Sequence, residues 1–580
     1  MYESLYVFFV VHKSAWDIIS YQKQNCKRFF KKSKKNLATN GILPDFCVFG
    51  SIFWQHWGLK LYFTAALIIY FTKNILFGDH MTNKKRFLRD GIMLSAVTLI
   101  TRSVAMTFSA FLAGAIGSEG VGLFTLVMTV YSFALTLATS GVGLAVTRLV
   151  AASPEDRRGA LSAALLYSSI FGAASCLILL ILSPFICHRL INSPEALPLI
   201  RILALTLPAV ALSVAFNGYF VGVRRVRSNA LTQIFGQIMR ILLSYALVSA
   251  YGGASSADSL RYVCIAILIT ELSTLALIAI QYLIDRILHK SPRGERGSLS
   301  SISSVALPLA LSQYVRSALI SVEHMLIPSR LEKGGLTASE ALSGYGILHG
   351  MALPAVLLPM APLSSFSGLL VPEFAHDEAV GNTERISRIT SRAAELTLTY
   401  AALTCAVILF FADELGAAVY SSAEAGRYLR FLAPVIPIMY LDHVSDQILK
   451  GIGEQVYSMW VNIADSFLSI ILVFFLLPRM GVVGYAVVII VMEAFNFLMS
   501  YARLRTRINV KIRLIPGFLL PLLFASFSCA VSGRIFLCGG DSFPLICKIL
   551  FAICLFVFFD RICDLVLCNI HKSKKTANFF

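Results

Sequence analysis

Long apolar stretches alternate with short polar loops along the chain from residue 88 onward. A membrane-spanning helix needs about 20 mostly apolar residues, and fourteen stretches are long enough to cross a bilayer. The pattern therefore predicts an all-α polytopic membrane protein with about 14 transmembrane helices. The predicted spans, numbered in chain order, are residues 91–115, 120–144, 159–186, 198–222, 228–250, 260–284, 303–328, 341–372, 393–412, 428–449, 455–477, 482–502, 514–535 and 544–569.

Lys and Arg residues crowd every second loop. Residues 84–89 before span one carry four of them, whereas the next loop, G-S-E-G-V-G at 117–122, has none. Short loops rich in Lys and Arg stay on the cytoplasmic side of a membrane. The alternation predicts that both chain termini are cytoplasmic, which requires an even number of spans.

Two segments of the chain repeat each other without gaps. When residues 201–252 are laid on 430–481, Arg201 meets Arg430 and Pro208 meets Pro437. The match predicts that spans 1–6 and 7–12 form two six-helix lobes in parallel repeat, with two extra C-terminal helices outside it. Transporters built from such repeats bind substrate between the lobes and rock to alternate access. The predicted domains are an N-terminal extension (1–80), an N-lobe (81–297), a C-lobe (298–510), and spans 13–14 with a basic tail (511–580).

The first 80 residues have no place in this repeat. Their one apolar run, residues 61–72, is 12 residues long, which is short for a membrane span. We expect the natural protein to start at Met81, or residues 1–80 to be disordered; a membrane-anchored extension is the alternative.

Composition supports the membrane class. The chain of 580 residues is 57% hydrophobic and 14% charged, against about 25% charged for a soluble protein. The net charge of +18 follows from the basic loops, so we expect no nucleic-acid partner. The 12 cysteines form no C-x-x-C pair, and no H-E-x-x-H or nucleotide-binding loop occurs. We therefore expect no metal site, no cofactor, no ATPase and no enzyme activity.

Several stretches resemble one known family. G-A-I-G-S-E-G-V-G-L-F-T-L-V-M at the start of 114–151 resembles the opening of the stage V sporulation protein B family, as does S-Q-Y-V-R-S-A-L-I-S-V-E-H at the start of 312–331. Y-G-I-L-H-G-M-A-L-P (345–354) and L-V-P-E-F (370–374) extend the resemblance, which covers roughly residues 84–510. This family belongs to the multidrug/oligosaccharidyl-lipid/polysaccharide (MOP) flippase superfamily, alongside the MurJ-type lipid II flippases.

The resemblance implies a function. The protein would move an undecaprenyl-pyrophosphate-linked oligosaccharide, a peptidoglycan precursor, across the bacterial plasma membrane, with membrane lipids as its other partners. Separately, we expect it to be a monomer. The alternatives are a cation-coupled multidrug exporter of the same superfamily and a non-transporting scaffold for cell-wall synthesis. Arginines on spans one and seven, and the two extra C-terminal spans, favour the flippase.

Three arginines lie near the middle of predicted spans, where an ionisable residue costs about 2.5–3.5 kcal/mol and is a functional candidate by default. Arg102 and Arg316 lie at similar depths in the repeat-related spans one and seven. The resemblance to flippases that use cavity arginines assigns them to pyrophosphate, whose oxygens suit the planar guanidinium fork. The alternative is that each arginine caps carbonyls or pairs with a carboxylate in its own lobe. Arg240 is a third pyrophosphate candidate, but an ion pair with Glu271 on the next span is equally open.

Carboxylates inside the spans suggest a coupling ion. Asp465 and Glu493 have no basic partner nearby in sequence, and carboxylates suit Na⁺ or a proton. Hydrogen bonds to neighbouring groups such as Asn462 and Ser469 are the alternative.

Span eight carries three glycines and three prolines between residues 344 and 362. Proline removes a backbone donor and bends a helix, so we expect a broken helix that lines a cavity; a merely kinked helix is the alternative. His349 in this span, together with Glu323 and Glu271, is a candidate for lining that cavity. We expect His324 to be an interface residue whose hydrogen bonds are satisfied within the protein.

Overall fold

The computed structural model describes residues 84–560 except 140, 153–156, 192, 224, 253–255, 289–298, 509, 511, 539–544 and 546. The predicted extension 1–80 and the predicted start at Met81 lie outside the described residues. Regular structure in the described part is entirely helical. The α-helices are α1 (Lys84–Thr139), α2 (Val142–Ala152), α3 (Arg157–Phe185), α4 (Ala196–Ala204), α5 (Leu207–Gly222), α6 (Val226–Tyr251), α7 (Ser256–Leu288), α8 (Leu299–Lys333), α9 (Ala338–Tyr345), α10 (Leu353–Leu357), α11 (Ala361–Val380), α12 (Thr383–Tyr420), α13 (Ala423–Leu432), α14 (Ile436–Gly451), α15 (Gln455–Arg507) and α16 (Leu520–Cys538). Shorter π-helical or 3₁₀ segments cover Ile186–Ile191, Gly346–Ala352, Ala433–Val435 and Ile515–Leu519.

Eight helices in the described part are long and apolar enough to cross a membrane. A ninth crossing is added if the bent pair Ala338–Leu357 and Ala361–Val380 counts as one span. The predicted all-α polytopic class is confirmed at this level, and the exact number of fourteen spans stays a prediction.

Two of these helices are too long for one crossing. Helices α1 and α15 have 56 and 53 residues, or about 84 and 80 Å at 1.5 Å per residue, against a hydrocarbon core of about 30 Å. Each changes direction at a glycine with positive φ, Gly117 (φ 70°) and Gly481 (φ 60°), a conformation that glycine adopts without strain. These breaks fall where the sequence predicts the loops after spans one and eleven.

The buried apolar side chains fall into separate clusters. We call the described residues of 84–288 the N-half and those of 299–560 the C-half. The largest cluster takes its buried side chains from the C-half apart from Leu126. Another, around Tyr167 and Phe220, takes its buried side chains from the N-half apart from Ile302 and Ala306. Apolar burial thus stabilises mainly contacts within each half, an arrangement that two lobes would need.

The halves meet along two seams. In the first seam, α1 packs against the segment from α9 to α11. The hydroxyls of Ser118 and Ser343 lie 2.6 Å apart at the Gly117 end, and Ser365 donates a 2.9 Å hydrogen bond to Thr98 nearer the start of α1. In the second seam, α8 packs against the part of α1 that follows Gly117, where Tyr314 donates a hydrogen bond to the Leu137 carbonyl at 3.3 Å. Hydrogen-bonded side chains therefore tie the halves together on both sides.

Candidate functional site

A polar cavity of about 280 Å³ lies between α8, α14, α15 and the break between α10 and α11. Carboxylates dominate its charged lining, with one guanidinium among them. Its ionisable lining side chains are Arg316, Asp442, His443, Asp446, Asp465 and Glu493, and its polar ones are Ser458, Asn462, Asn496 and Ser500.

Two of the carboxylates come from α14 and were missed from the sequence. Asp442 and Asp446 are four residues apart, so they share one helix face. Ser500 donates a 2.9 Å hydrogen bond to Asp442, and Lys450 pairs with Asp446 at 2.6 Å. The sequence could have revealed them, because both carboxylates lie in one predicted span, 428–449. Burying an ionisable group in the membrane there is as costly as it is for the residues named in the sequence analysis.

The other two carboxylates are the predicted coupling-ion residues. Asp465 and Glu493 lie on the two arms of α15, on either side of Gly481, and the fold brings both to the cavity. One buried oxygen of Asp465, Oδ1, has no hydrogen-bond partner among the described residues. The basic group that interacts electrostatically with Asp465 is Arg316 on α8, a partner that the local sequence does not reveal. Ser469, the expected neighbour, instead donates to Glu323.

Arg102 reaches the wall of the same cavity from α1. Its Nη1 donates a 3.4 Å hydrogen bond to the carbonyl oxygen of Leu357, and Leu357 lines the cavity that Arg316 also lines. Carbonyl capping, the alternative left open by the sequence, is therefore present for Arg102. The capped carbonyl belongs to the opposite half and not to Arg102's own.

The break at Leu357 is the one predicted for span eight. The axes of Ala338–Leu357 and Ala361–Val380 differ by 58°. Pro359 and Pro362 explain the break, because neither has an N–H to continue the helical hydrogen bonds. Irregular backbone at membrane depth is tolerated where it is covered by protein or lines a cavity, and both Leu357 and Met360 lie in the cavity wall.

Arg240 and Glu271 form an ion pair inside the N-half. Arg240 Nη2 on α6 lies 2.8 Å from Glu271 Oε1 on α7. Neither residue lines the cavity described above. The ion-pair alternative is therefore present, and Arg240 is not brought together with Arg102 and Arg316.

Glu323 and His349 belong to a second polar cluster, which lies between α8, the π-helical segment Gly346–Ala352 and α15. His324 Nδ1 lies 2.8 Å from the Tyr345 hydroxyl, and His349 Nδ1 lies 3.3 Å from the Tyr485 hydroxyl. The two imidazole rings are 4.3 Å apart, edge to face. Both histidines are thus hydrogen-bonded side chains, and His349 and Glu323 do not line the cavity described above.

Within the described residues, no group of three or more His, Cys, Asp and Glu side chains is arranged to hold a metal ion.

Comparison with known proteins identifies the family. Residues 87–376, half of the 580-residue chain, match the family described as polysaccharide biosynthesis protein. The chain belongs to the polysaccharide biosynthesis protein family. A second match, to the MatE family, covers residues 333–476. The two matched regions of this family member include Arg102, Arg316, Asp442 and Asp465, whereas Glu493 lies beyond both.

Relatives and solved structures agree with this assignment. Stage V sporulation protein B of Bacillus subtilis (strain 168) is 23% identical over 423 residues, which is 70% of this chain and 81% of the relative. The fold resembles the lipid II flippase MurJ in its inward closed conformation, with a TM-score of 0.62 and 14% identity over 82% of this chain and 100% of that one. It also resembles an inward-facing multidrug resistance MATE family transporter of the MOP superfamily, with a TM-score of 0.58 and 18% identity over 71% of this chain and 98% of that one. This polysaccharide biosynthesis family member is a multi-pass membrane protein.

Proposed function

We propose that this protein is a flippase for a lipid-linked oligosaccharide carried on undecaprenyl pyrophosphate. The cargo is a peptidoglycan precursor, and the membrane is the bacterial plasma membrane. The names of two proteins that this chain resembles, stage V sporulation protein B and a lipid II flippase, support a role in cell-wall synthesis during sporulation. The basic loops support cytoplasmic chain termini, and we propose that the protein works as a monomer.

One observation carries the proposal: Arg102 and Arg316 come from different halves, Arg316 lines the cavity, and Arg102 bonds to Leu357, which lines the same cavity. Within the described residues Arg316 forms no ion pair within 4.0 Å, so its guanidinium is available to a ligand. Arginine binds phosphate oxygens through two parallel N–H donors. A diphosphate between the two arginines would be held by both halves at once, as alternating access requires.

The carboxylates support coupling to a cation. We propose that Asp465 and Glu493, with Asp442 beside them, bind Na⁺ or a proton whose gradient drives transport. Carboxylate oxygens are ligands for hard cations, and the unpartnered Oδ1 of Asp465 is a candidate ligand atom.

The same carboxylates favour a second candidate function. Four acidic side chains against one arginine in the cavity would attract a cationic drug, so a cation-coupled multidrug exporter is the competing proposal. The two functions differ in the charge of the cargo: the arginines favour an anionic cargo, and the carboxylates favour a cationic one.

A translocation assay separates them. The full chain, purified and placed in liposomes, is tested with fluorescent lipid II and, in parallel, with the cationic dye ethidium. We expect lipid II to be flipped, Arg102→Ala and Arg316→Ala to abolish flipping, and Arg189→Ala, an exposed arginine remote from the cavity, to leave it unchanged. Transport of ethidium without lipid II would refute the flippase and support the exporter.

A further inference from the structure

The break between α10 and α11 receives hydrogen bonds from three side chains. Tyr440 on α14 donates to the Val356 carbonyl at 2.9 Å, and Tyr400 on α12 donates to the Pro359 carbonyl at 2.5 Å. Both tyrosines are buried in the C-half core. These two hydrogen bonds therefore lie within the C-half and are kept when the halves move relative to each other. The third donor, Arg102, comes from the N-half.

The Arg102 bond is the replaceable one of the three. At 3.4 Å it lies beyond the usual N–H···O range of about 2.7–3.2 Å, so it is weak. The Leu357 carbonyl also accepts from the Met360 N–H at 3.2 Å, and it therefore keeps a partner when Arg102 leaves. A phosphate oxygen would offer Arg102 a charge-assisted bond, which is roughly twice as strong as a bond to a neutral acceptor.

Arg102 also lies one helical turn from another tie across the first seam. Thr98 precedes it by four residues, on the same face of α1, and is hydrogen-bonded to Ser365 of α11 at 2.9 Å. The two contacts join α1 to both sides of the break. A change at Arg102 therefore acts directly on the seam that has to separate when the halves move.

We propose that Arg102 is a latch between the halves that the diphosphate of the substrate releases. Without substrate, Arg102 bonds to the Leu357 carbonyl and stabilises the closed first seam. A diphosphate in the cavity takes over the guanidinium, removes the bond to the break, and weakens the seam around Thr98 and Ser365. This inference rests on the proposed function, because it takes the diphosphate as the competing acceptor. Coupling of this kind is reciprocal, so opening the seam also strengthens diphosphate binding.

Disulfide cross-linking between Thr98→Cys and Ser365→Cys measures the latch. The single-cysteine variants correct for the 12 native cysteines. Without lipid, we expect Arg102→Ala to lower the cross-linking yield by about twofold, the effect of losing one weak hydrogen bond. Undecaprenyl diphosphate should lower the yield in the parent pair but not in the Arg102→Ala pair, and phosphatidylglycerol should change neither. Arg102→Lys, which keeps a donor and the charge, should restore most of the yield measured without lipid.

A second cysteine pair controls for a general change of conformation. The Ser118 and Ser343 hydroxyls lie 2.6 Å apart at the other end of the seam, about 24 Å along α1 from Arg102. We expect cross-linking of Ser118→Cys with Ser343→Cys to be the same with and without Arg102→Ala when no lipid is present. A fall in yield at both ends would show global opening and would overturn a local latch.

The outcomes also separate this inference from the proposed function. Binding of undecaprenyl diphosphate to the full-length protein is measured in parallel by native mass spectrometry. If Arg102→Ala abolishes binding but leaves the yield without lipid unchanged, the latch is wrong and the flippase proposal stands. If binding survives alanine at both Arg102 and Arg316, the proposed function fails, and the diphosphate-released latch fails with it.

Discussion

Replacing Arg240 by alanine would leave the Glu271 carboxylate without its partner inside the N-half. The two groups lie 2.8 Å apart, and the side chains of Arg240 and Glu271 are 30% and 17% exposed. Removing one member of a fully buried pair costs about 3–5 kcal/mol, because the remaining charge is left uncompensated. Since Arg240 keeps nearly a third of its surface exposed, we expect a smaller loss of about 2–3 kcal/mol in the free energy of unfolding. That corresponds to a factor of about 30–150 in the unfolding equilibrium.

Unfolding of the purified protein by a denaturing detergent, followed by circular dichroism, measures this loss. The double variant Arg240→Met/Glu271→Leu should recover to within about 1 kcal/mol of the parent, because an apolar pair needs no compensation. Arg261→Ala is the matched control: Arg261 pairs with Asp258 at 3.2 Å, but both side chains are nearly half exposed, so the change should stay below about 0.5 kcal/mol. An Arg240→Ala protein with unchanged stability and no lipid transport would refute this reasoning and return Arg240 to the diphosphate site.

Three further outcomes follow from the geometry. Gly346→Val should block transport without lowering expression, because an added Cβ would collide with the Ser118 carbonyl where the first seam closes; unchanged lipid II flipping would contradict this. Burial acts to raise the pKa of Glu454, between α14 and α15, but its hydrogen bonds with Arg503 and Arg507 outweigh this and lower the pKa. A lowered carboxyl pKa stabilises the fold above the unfolded pKa, and the contribution is lost as pH falls through the folded pKa; thermal stability should therefore fall at acidic pH in the parent and depend less on pH in Glu454→Gln. Asp465→Asn should make flipping insensitive to an imposed Na⁺ or proton gradient, and continued gradient dependence would remove Asp465 from the coupling site.

Local sequence features predicted much of the fold. The apolar stretches indicate a helical membrane protein because the cost of burying backbone polar groups in lipid leaves few other solutions. The breaks at Gly117 and Gly481 and the bend before Ala361 were also visible, because glycine and proline act on the backbone where they stand. Each of these features depends on residues that are close together in the chain.

The candidate site depends on distant residues, so the sequence marks charged residues inside the spans without revealing their partners. The high cost of a charge inside a membrane marks Arg102, Arg316 and Asp465. That cost does not say whether a charge meets a carbonyl, an acid or a substrate. The carbonyl that Arg102 meets is 255 residues away, and α8 supplies the guanidinium that interacts electrostatically with Asp465. Only the packing of the helices decides these contacts.

The position of the two arginines on opposite halves has a consequence for how transport is driven. A ligand shifts a conformational equilibrium only by the difference between its affinities for the two states. A diphosphate bound by arginines of one half would move with that half and would bind both states equally well. Arg102 and Arg316 belong to α1 and α8 and therefore to opposite halves, so the distance between their guanidinium groups changes whenever the halves move. Under the proposed function, a diphosphate that spans both would therefore have different affinities in the two states, and its binding energy would be available to bias the motion.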